Sequence, residues 1–242
     1  MNDNTLTINH LVHFDELLLT WKDTEGSNHV VGTLTNETFK YVPNISALQE
    51  KGFNGYPAFP LSENNERVFK NPVPVLMQRC PPRDRVDFDV FLKAYGLNLD
   101  EQQQRELTDF QLLGYTGAPL STDTFCILNP FKAVSEAFTF VMRVSGVHHH
   151  YAQGTSFSKE DAQILTGKLL VLNDEPTNKI DTHAQRLDLE GKTFGYVNRL
   201  LACQFKTWKA SNRLESIRVF RCNGRKNHVS VYAIVSVGEE VN

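Results

Sequence analysis

The chain has 242 residues, 40% of them hydrophobic and 22% charged, with a formal net charge of −3. This is an ordinary soluble, globular composition, long enough to bury one large core or two small ones. No apolar run approaches the roughly 18 residues of a bilayer span, and Met1-Asn2-Asp3-Asn4 lacks the basic and apolar regions of a signal peptide. A cytoplasmic protein without membrane contact is therefore expected. Cys80, Cys126, Cys203 and Cys222 fit no CxxC metal site and no dense disulfide framework, which predicts reduced, structural thiols.

In chain order, Leu17–Trp21, Val30–Leu34 and Phe39–Val42 have strand-like composition with turn residues between them. Ile45–Lys51 reads as a short helix, whereas Pro57 and Pro60 bar a helix from Tyr56–Leu61. Asp87 is a candidate N-cap for a helix carrying Phe88, Phe91, Leu92 and Tyr95 at helical spacing and stopped by Gly96. A second helix is expected near Asp100. Phe110, Leu112 and Leu113 follow, and Gly114 and Gly117 mark a turn.

This half resembles the N-terminal subdomain of HipA-type kinases over about residues 15–125. The resemblance is carried by Val31-Gly32-Thr33-Leu34, Phe39-x-Tyr41, Pro57-Ala58-Phe59-Pro60-Leu61, Phe69-x-Asn71-Pro72-Val73-Pro74, Phe91-Leu92-x-x-Tyr95-Gly96-Leu97 and Phe110-x-Leu112-Leu113-Gly114. It implies a small β-barrel with helices that makes protein contacts and holds no catalytic residue. No kinase core follows it.

Residues 126–137 form the junction, which gives modules at 1–130 and 131–242. Beyond it, Lys168–Leu172 reads as a buried strand and Phe194–Val197 as a short strand in which Gly195 permits close backbone approach. Between them lies the polar stretch Asp174–Ala184. Its Asn178 and Asp181 either bond their own backbone or offer polar groups to a ligand. Asn198 is a candidate cap for a helix from Arg199 through Leu200, Leu201, Ala202 and Phe205.

The order of these pieces is a strand, a Glu-Pro-x-Asn-x-x-Asp loop, an Ala-x-x-Leu strand, Gly-Tyr-Val and then Arg. It resembles the HIRAN domain over about residues 138–238. The matching residues include Gly146, Glu175, Pro176, Asn178, Asp181, Gly195, Tyr196 and Arg199. The resemblance implies an OB-like β-barrel with one or two helices that binds single-stranded DNA or DNA ends. Asp181 and Asn178 would hold a strand end, Tyr196 would line the pocket and Arg199 would meet phosphate. Ile180 stands where the DNA-end binders carry an aromatic residue. His148 and His149 stand where they carry a basic and an aromatic one.

Charge is uneven: residues 1–140 carry a net −7 and residues 141–242 a net +4. Arg199, Lys206, Lys209, Arg213, Arg218, Arg221, Arg225 and Lys226 fall within 199–228 against the single acid Glu215, a field suited to phosphates or else a solvated helix face. Phe205, Trp208 and Phe220 interleave with them, as stacking groups or as core. On a strand, His148 and His150 would share a face, but no third metal ligand is evident. Asp84, Asp87 and Asp89 are the acidic group a metal-dependent nuclease would need, and helix capping and pairing with Arg83 and Arg85 explain them more simply. There is no G-x-S-x-G turn and no phosphate-binding G-x-x-x-x-G-K-[ST] loop.

The expectation is an α+β, β-rich protein of two small modules, non-enzymatic, without metal or cofactor. One module contacts a protein partner and the other binds DNA through Asn178, Asp181, Tyr196, Arg199, His148, His149, Lys206 and Lys209. The alternative is a protein-interaction regulator of a toxin–antitoxin or defence system that does not touch DNA.

Overall fold

The computed structural model describes residues 6–62, 67–150, 158–225 and 228–240. The fold is α+β and strand-rich, with three antiparallel sheets, none closed into a barrel. The chain divides into two units. One holds residues 13–91 and 100–134; the other holds 135–242 together with 1–12 and 92–99.

The first unit contains β1 (Leu17–Lys22), β2 (Asn28–Leu34), β3 (Thr38–Tyr41), α1 (Ile45–Gln49), β4 (Val68–Lys70) and α2 (Pro72–Met77). The division between units passes through α3 (Phe88–Ala94); α4 (Glu101–Glu106), α5 (Asp109–Thr116) and β5 (Phe125–Leu128) return to the first unit. Its sheet runs β4-β3-β2-β1-β5. The strands and short helix expected from sequence are present here. Asp100 and Thr108 each form a capping box, with Gln103 and Gln111, and so start α4 and α5 sharply. Asp87 is not a side-chain cap. Its carboxylate is held by Arg85, which lowers its pKa and takes it out of any acidic cluster. Gly114 lies inside α5 rather than in a turn; it is glycine there for packing, since a Cβ would stand 2.5 Å from the Phe14 ring.

The core of this unit is aromatic. Phe39 stacks on Phe59 with centroids 4.6 Å apart, and the Tyr41 hydroxyl donates to the Phe59 carbonyl while accepting from the Tyr56 amide at 2.8 Å. Arg79 is buried here. Its guanidinium forks onto Asp123 at 2.6 and 2.9 Å and donates to the carbonyls of Ala118 and Phe125 at 2.9 and 2.8 Å. Burial opposes a charged Asp123, but the Arg79 bonds outweigh it and leave the carboxyl below its ordinary pKa.

The second unit contains β6 (Phe138–Arg143), α6 (Val147–His150), α7 (Lys159–Leu165), β7 (Val171–Asp174), β8 (Gln185–Leu189), β9 (Lys192–Tyr196), α8 (Ala202–Ala210), β10 (Leu214–Arg225) and β11 (His228–Val237). They form two three-stranded sheets, β10-β11-β6 and β7-β8-β9. The sheets meet at both edges. Ser145 and Tyr196 exchange backbone bonds of 2.8 and 2.9 Å, and residues 167–170 bond to 217–219 of β10 at 2.8–2.9 Å. Phe138, Phe140, Phe205 and Trp208 fill the space beneath, with Phe205 and Trp208 rings 5.2 Å apart. These aromatics are core, so Phe205 and Trp208 are not a stacking platform.

Two expectations are corrected here. The Lys168–Leu172 segment is buried on one face only: Leu170 and Leu172 point inward while Leu169 and Val171 are half exposed. The helix after β9 begins at Ala202, not at Arg199. The Asn198 side chain accepts from the Leu200 amide at 3.1 Å and its carbonyl accepts from Leu201 at 2.8 Å, so a separate turn precedes the helix.

Gly195 must be glycine for packing reasons. A Cβ would lie 2.6 Å from the Ser145 carbonyl oxygen, a backbone atom held at the strand crossing, and 2.7 Å from a Val144 methyl. Gly195→Ala is expected to cost about 1–3 kcal/mol, measured as a lowered urea midpoint at unchanged slope.

Candidate nucleic-acid interface

The loop between β7 and β8 is built by its own side chains. The Asn178 amide donates to Glu175 at 2.6 Å, and its oxygen accepts from the amides of Ile180 and Asp181 at 2.9 and 3.1 Å. One Asp181 oxygen accepts from the His183 amide at 2.9 Å. Asn178 is thereby a loop-former, its side-chain oxygen and one N–H used inside the turn. Asp181 keeps its second carboxylate oxygen without a partner among the described residues. Ile180 stands at the tip, 93% exposed.

Beneath the loop runs a polar row on one face of the small sheet. Arg186 forks onto Asp188 at 2.9 and 3.0 Å and reaches Glu175 at 3.3 Å, while Asn173 donates to the same Asp188 at 2.9 Å. Register explains the row, since Asn173, Arg186 and Tyr196 are direct cross-strand partners and share a face. The Asn178 bond leads the influences that hold Glu175 below its ordinary pKa, with Tyr196 and Arg186 adding to it. Burial, then Glu175, pushes the Tyr196 hydroxyl up, so it remains a neutral donor.

Asp174 is likewise lowered, by Gln185 first and then by Lys209. Depressed carboxylates stabilise the fold above their unfolded pKa, about 4, and that contribution is lost as pH falls through the folded values. The loop is therefore expected to lose order at pH values below about 4. Hydrogen-exchange protection of the Ile180 and Asp181 amides checks this, and should fall before that of the β10–β11 ladder.

The remaining expected residues separate into two groups. Arg199 is exposed in the turn after β9, at the same end of the sheet as the loop, where Val197 donates to the Gln185 carbonyl at 3.0 Å. Lys206, His183, Cys203 and Thr207 line a shallow groove between the loop and α8. Lys209 is exposed but paired, with Asp174 at 3.1 Å and the Leu172 carbonyl at 3.3 Å. His148 and His149 are exposed, but on α6 and not on a strand, because Gly146 turns the chain at φ +71° and Val147 anchors α6 over Gly195. The reading in which His148 and His150 share a strand face is thereby removed. Within the basic stretch, Arg213 is buried and donates to the carbonyls of Gly238 at 2.8 Å and Ser135 at 3.2 Å, so it serves the fold. The side chains of Arg225 and Lys226 lie outside the described residues.

Sequence reasoning missed Glu175 as the hub of the loop and Arg186 as its counter-ion. The signal was present, since Arg186 and Asp188 stand two apart on a strand and must share a face. Among the described residues no group of three or more His, Cys, Asp or Glu is arranged to hold a metal, and no helix is long and apolar enough to cross a membrane. Comparison with protein-family models, with curated proteins and with solved structures returns no match to this chain.

The four cysteines are free thiols. Burial pushes Cys222 up to about 11 and also raises Cys80, whereas Cys126 and Cys203 are exposed. At pH 8 a disulfide reagent is expected to label Cys126 and Cys203 rapidly and the other two only on unfolding. Peptide mass mapping of the labelled protein measures this.

Proposed function

We propose that the unit built on residues 135–240 is a HIRAN-like, OB-like nucleic-acid-binding module. It engages single-stranded DNA or DNA ends in the cytoplasm without catalysing a reaction, while the other unit serves as a HipA-like protein-interaction module. The observation that carries this reading is the loop. Its shape is fixed by Glu175, Asn178 and Arg186, while the tip Ile180 is exposed and the half-buried Asp181 keeps one carboxylate oxygen without a partner among the described residues. A loop ordered in advance binds without a large entropy cost. Arg199 in the neighbouring turn and Lys206 in the groove supply cations for phosphate. The barrel reading is supported by the two bridges, Ser145 with Tyr196 and Leu169 with Arg218, which link the two sheets in a cycle.

In this reading phosphate contacts give affinity and Asp181 gives preference for an end. Blocking the 3′ hydroxyl of a short oligonucleotide is expected to weaken binding, and Asp181→Ala to abolish that preference. Equal binding of free and blocked ends by the wild-type protein would remove end recognition and leave general binding. Bound oligonucleotide is also expected to slow modification of Cys203, which shares the groove with Lys206, and to leave Cys126 unaffected.

A further inference from the structure

The outer face of β10-β11-β6 carries a second set of cations, remote in sequence from the loop. Tyr232 on β11 pairs directly with Arg221 on β10 and with Arg143 on β6, and the next position along, Ile234, pairs with Arg218. Partners in register project to the same face, and so do residues two apart on one strand. Arg143, Arg221 and Arg218 therefore project from the face that carries Tyr232, where Ile234 is buried.

A β-bulge makes this arrangement. Val219 faces Ala233 and Arg221 faces Tyr232, so Phe220 is an extra residue on β10. Without it, simple alternation would turn Arg221 inward beside Val219, which is fully buried. The bulge re-aims Arg221 outward. There its guanidinium lies 4.2 Å from the Tyr232 ring centroid and 5.7 Å from that of Tyr95. Stacking of this kind fixes the plane of a guanidinium; the Arg221 Nε is buried and Nη1 donates to the Asn223 side-chain oxygen at 2.6 Å, which leaves Nη2 for an anion.

These stretches of strand bring no counter-charge: no Asp or Glu occurs in 216–223, 230–236 or 139–143, nor in 92–99, which supplies Tyr95. Among the described residues of the packed elements, α7 brings the acids Glu160 and Asp161, and Asp161 is spent on the capping box with Ser158. Arg143 is exposed and, among the described residues, bonds only the neutral Ser230 hydroxyl at 3.0 Å; Arg218 bonds the Gly167 carbonyl at 3.1 Å. Uncompensated like charges repel one another, so such a set is stabilised by an anionic ligand. Arg143 and Arg221 lie two strands apart, about 10 Å at ordinary strand spacing. That exceeds one phosphate group and suits successive phosphodiesters.

We infer that the Arg143–Tyr232–Arg221 row, with Arg218, is a second contact surface for a single-stranded polynucleotide, which crosses the three strands with its phosphates on the guanidiniums. The choice of ligand rests on the function proposed above, but the residues are independent of the loop.

The test is fluorescence anisotropy with a labelled oligothymidylate of about 20 nucleotides at about 50 mM salt. Arg143 is exposed, so Arg143→Ala and Arg143→Glu should fold normally, as far-UV circular dichroism will show. Arg143→Ala is expected to weaken binding about 5–10-fold and to reduce the slope of log K against log salt by about 0.7, the share of one phosphate contact. Arg143→Glu should weaken it further. Arg199→Ala is the arm that reports on the loop. Loss in the Arg143 variants with unchanged binding by Arg199→Ala supports this surface and removes the loop from the proposed function. Loss in both supports both. Unchanged affinity and slope in folded Arg143→Glu overturns the inference whatever Arg199→Ala does, and absence of oligonucleotide binding by the wild-type protein overturns it together with the function proposed.

Discussion

Arg79→Ala is expected to destabilise the unit containing the five-stranded sheet by about 3–5 kcal/mol, the range for removing one partner of a buried ion pair. The Arg79 side chain is 3% exposed, and its guanidinium serves four acceptor atoms: both oxygens of Asp123 and the carbonyls of Ala118 and Phe125. Truncation leaves all four without that donor and opens a cavity beside Tyr56. Arg79→Lys retains the charge but cannot form the fork, so it should recover only part of the loss. Asp123→Asn should cost less than Arg79→Ala, because the two carbonyl bonds survive. Chemical denaturation of the three variants gives the ranking directly. Equal stabilities would mean that the fork contributes little.

Arg186→Ala is expected to cost about 2–3 kcal/mol and to loosen the β7–β8 loop. The side chains of Glu175 and Asp188 are 22% and 10% exposed, so both would lose their counter-ion in a partly desolvated place. This cost stands below that of Arg79 because water can reach Glu175. Conservative Arg186→Lys keeps the charge and loses the fork onto Asp188, and should lie between wild type and Arg186→Ala. The loop effect separates this from generic destabilisation. Exchange of the Ile180 and Asp181 amides should quicken well below the denaturation midpoint, and oligonucleotide affinity should fall even though Arg186 is not itself turned to solvent as a phosphate ligand. Unaltered amide exchange would mean that Asn178 and Glu175 hold the loop without it.

Much of the architecture was legible where local chemistry decides it. Apolar runs such as Leu17–Trp21 and Phe39–Val42 could satisfy burial only as strands, and Asp100 marked a helix start through its capping box. Sequence was less informative where long-range partners decide. Arg213 and Lys209 read as members of a phosphate field, yet carbonyls and a carboxylate far along the chain claim them. Asn198 had the right chemistry for a helix cap but closes a separate turn before Ala202. The bulge at Phe220 shifts alternation by one residue, which local composition does not announce, and with it the direction of Arg221. For the loop itself, Asn178 and Asp181 carried two readings from residue chemistry. The geometry divides them: Asn178 builds the turn, while Asp181 keeps one oxygen without a partner among the described residues.

The central claim, that the residue 135–240 unit binds single-stranded nucleic acid electrostatically at the loop end, is tested most directly by a salt titration. A labelled oligothymidylate would be titrated with the wild-type protein and with Arg199→Ala/Lys206→Ala from about 25 to about 200 mM salt. The account predicts that log K falls linearly with log salt for the wild type. The double variant should bind more weakly at every point, with a slope reduced by about 1.4, two single-strand phosphate contacts. Absence of wild-type binding at the lowest salt, or identical slopes for the two proteins, would contradict it.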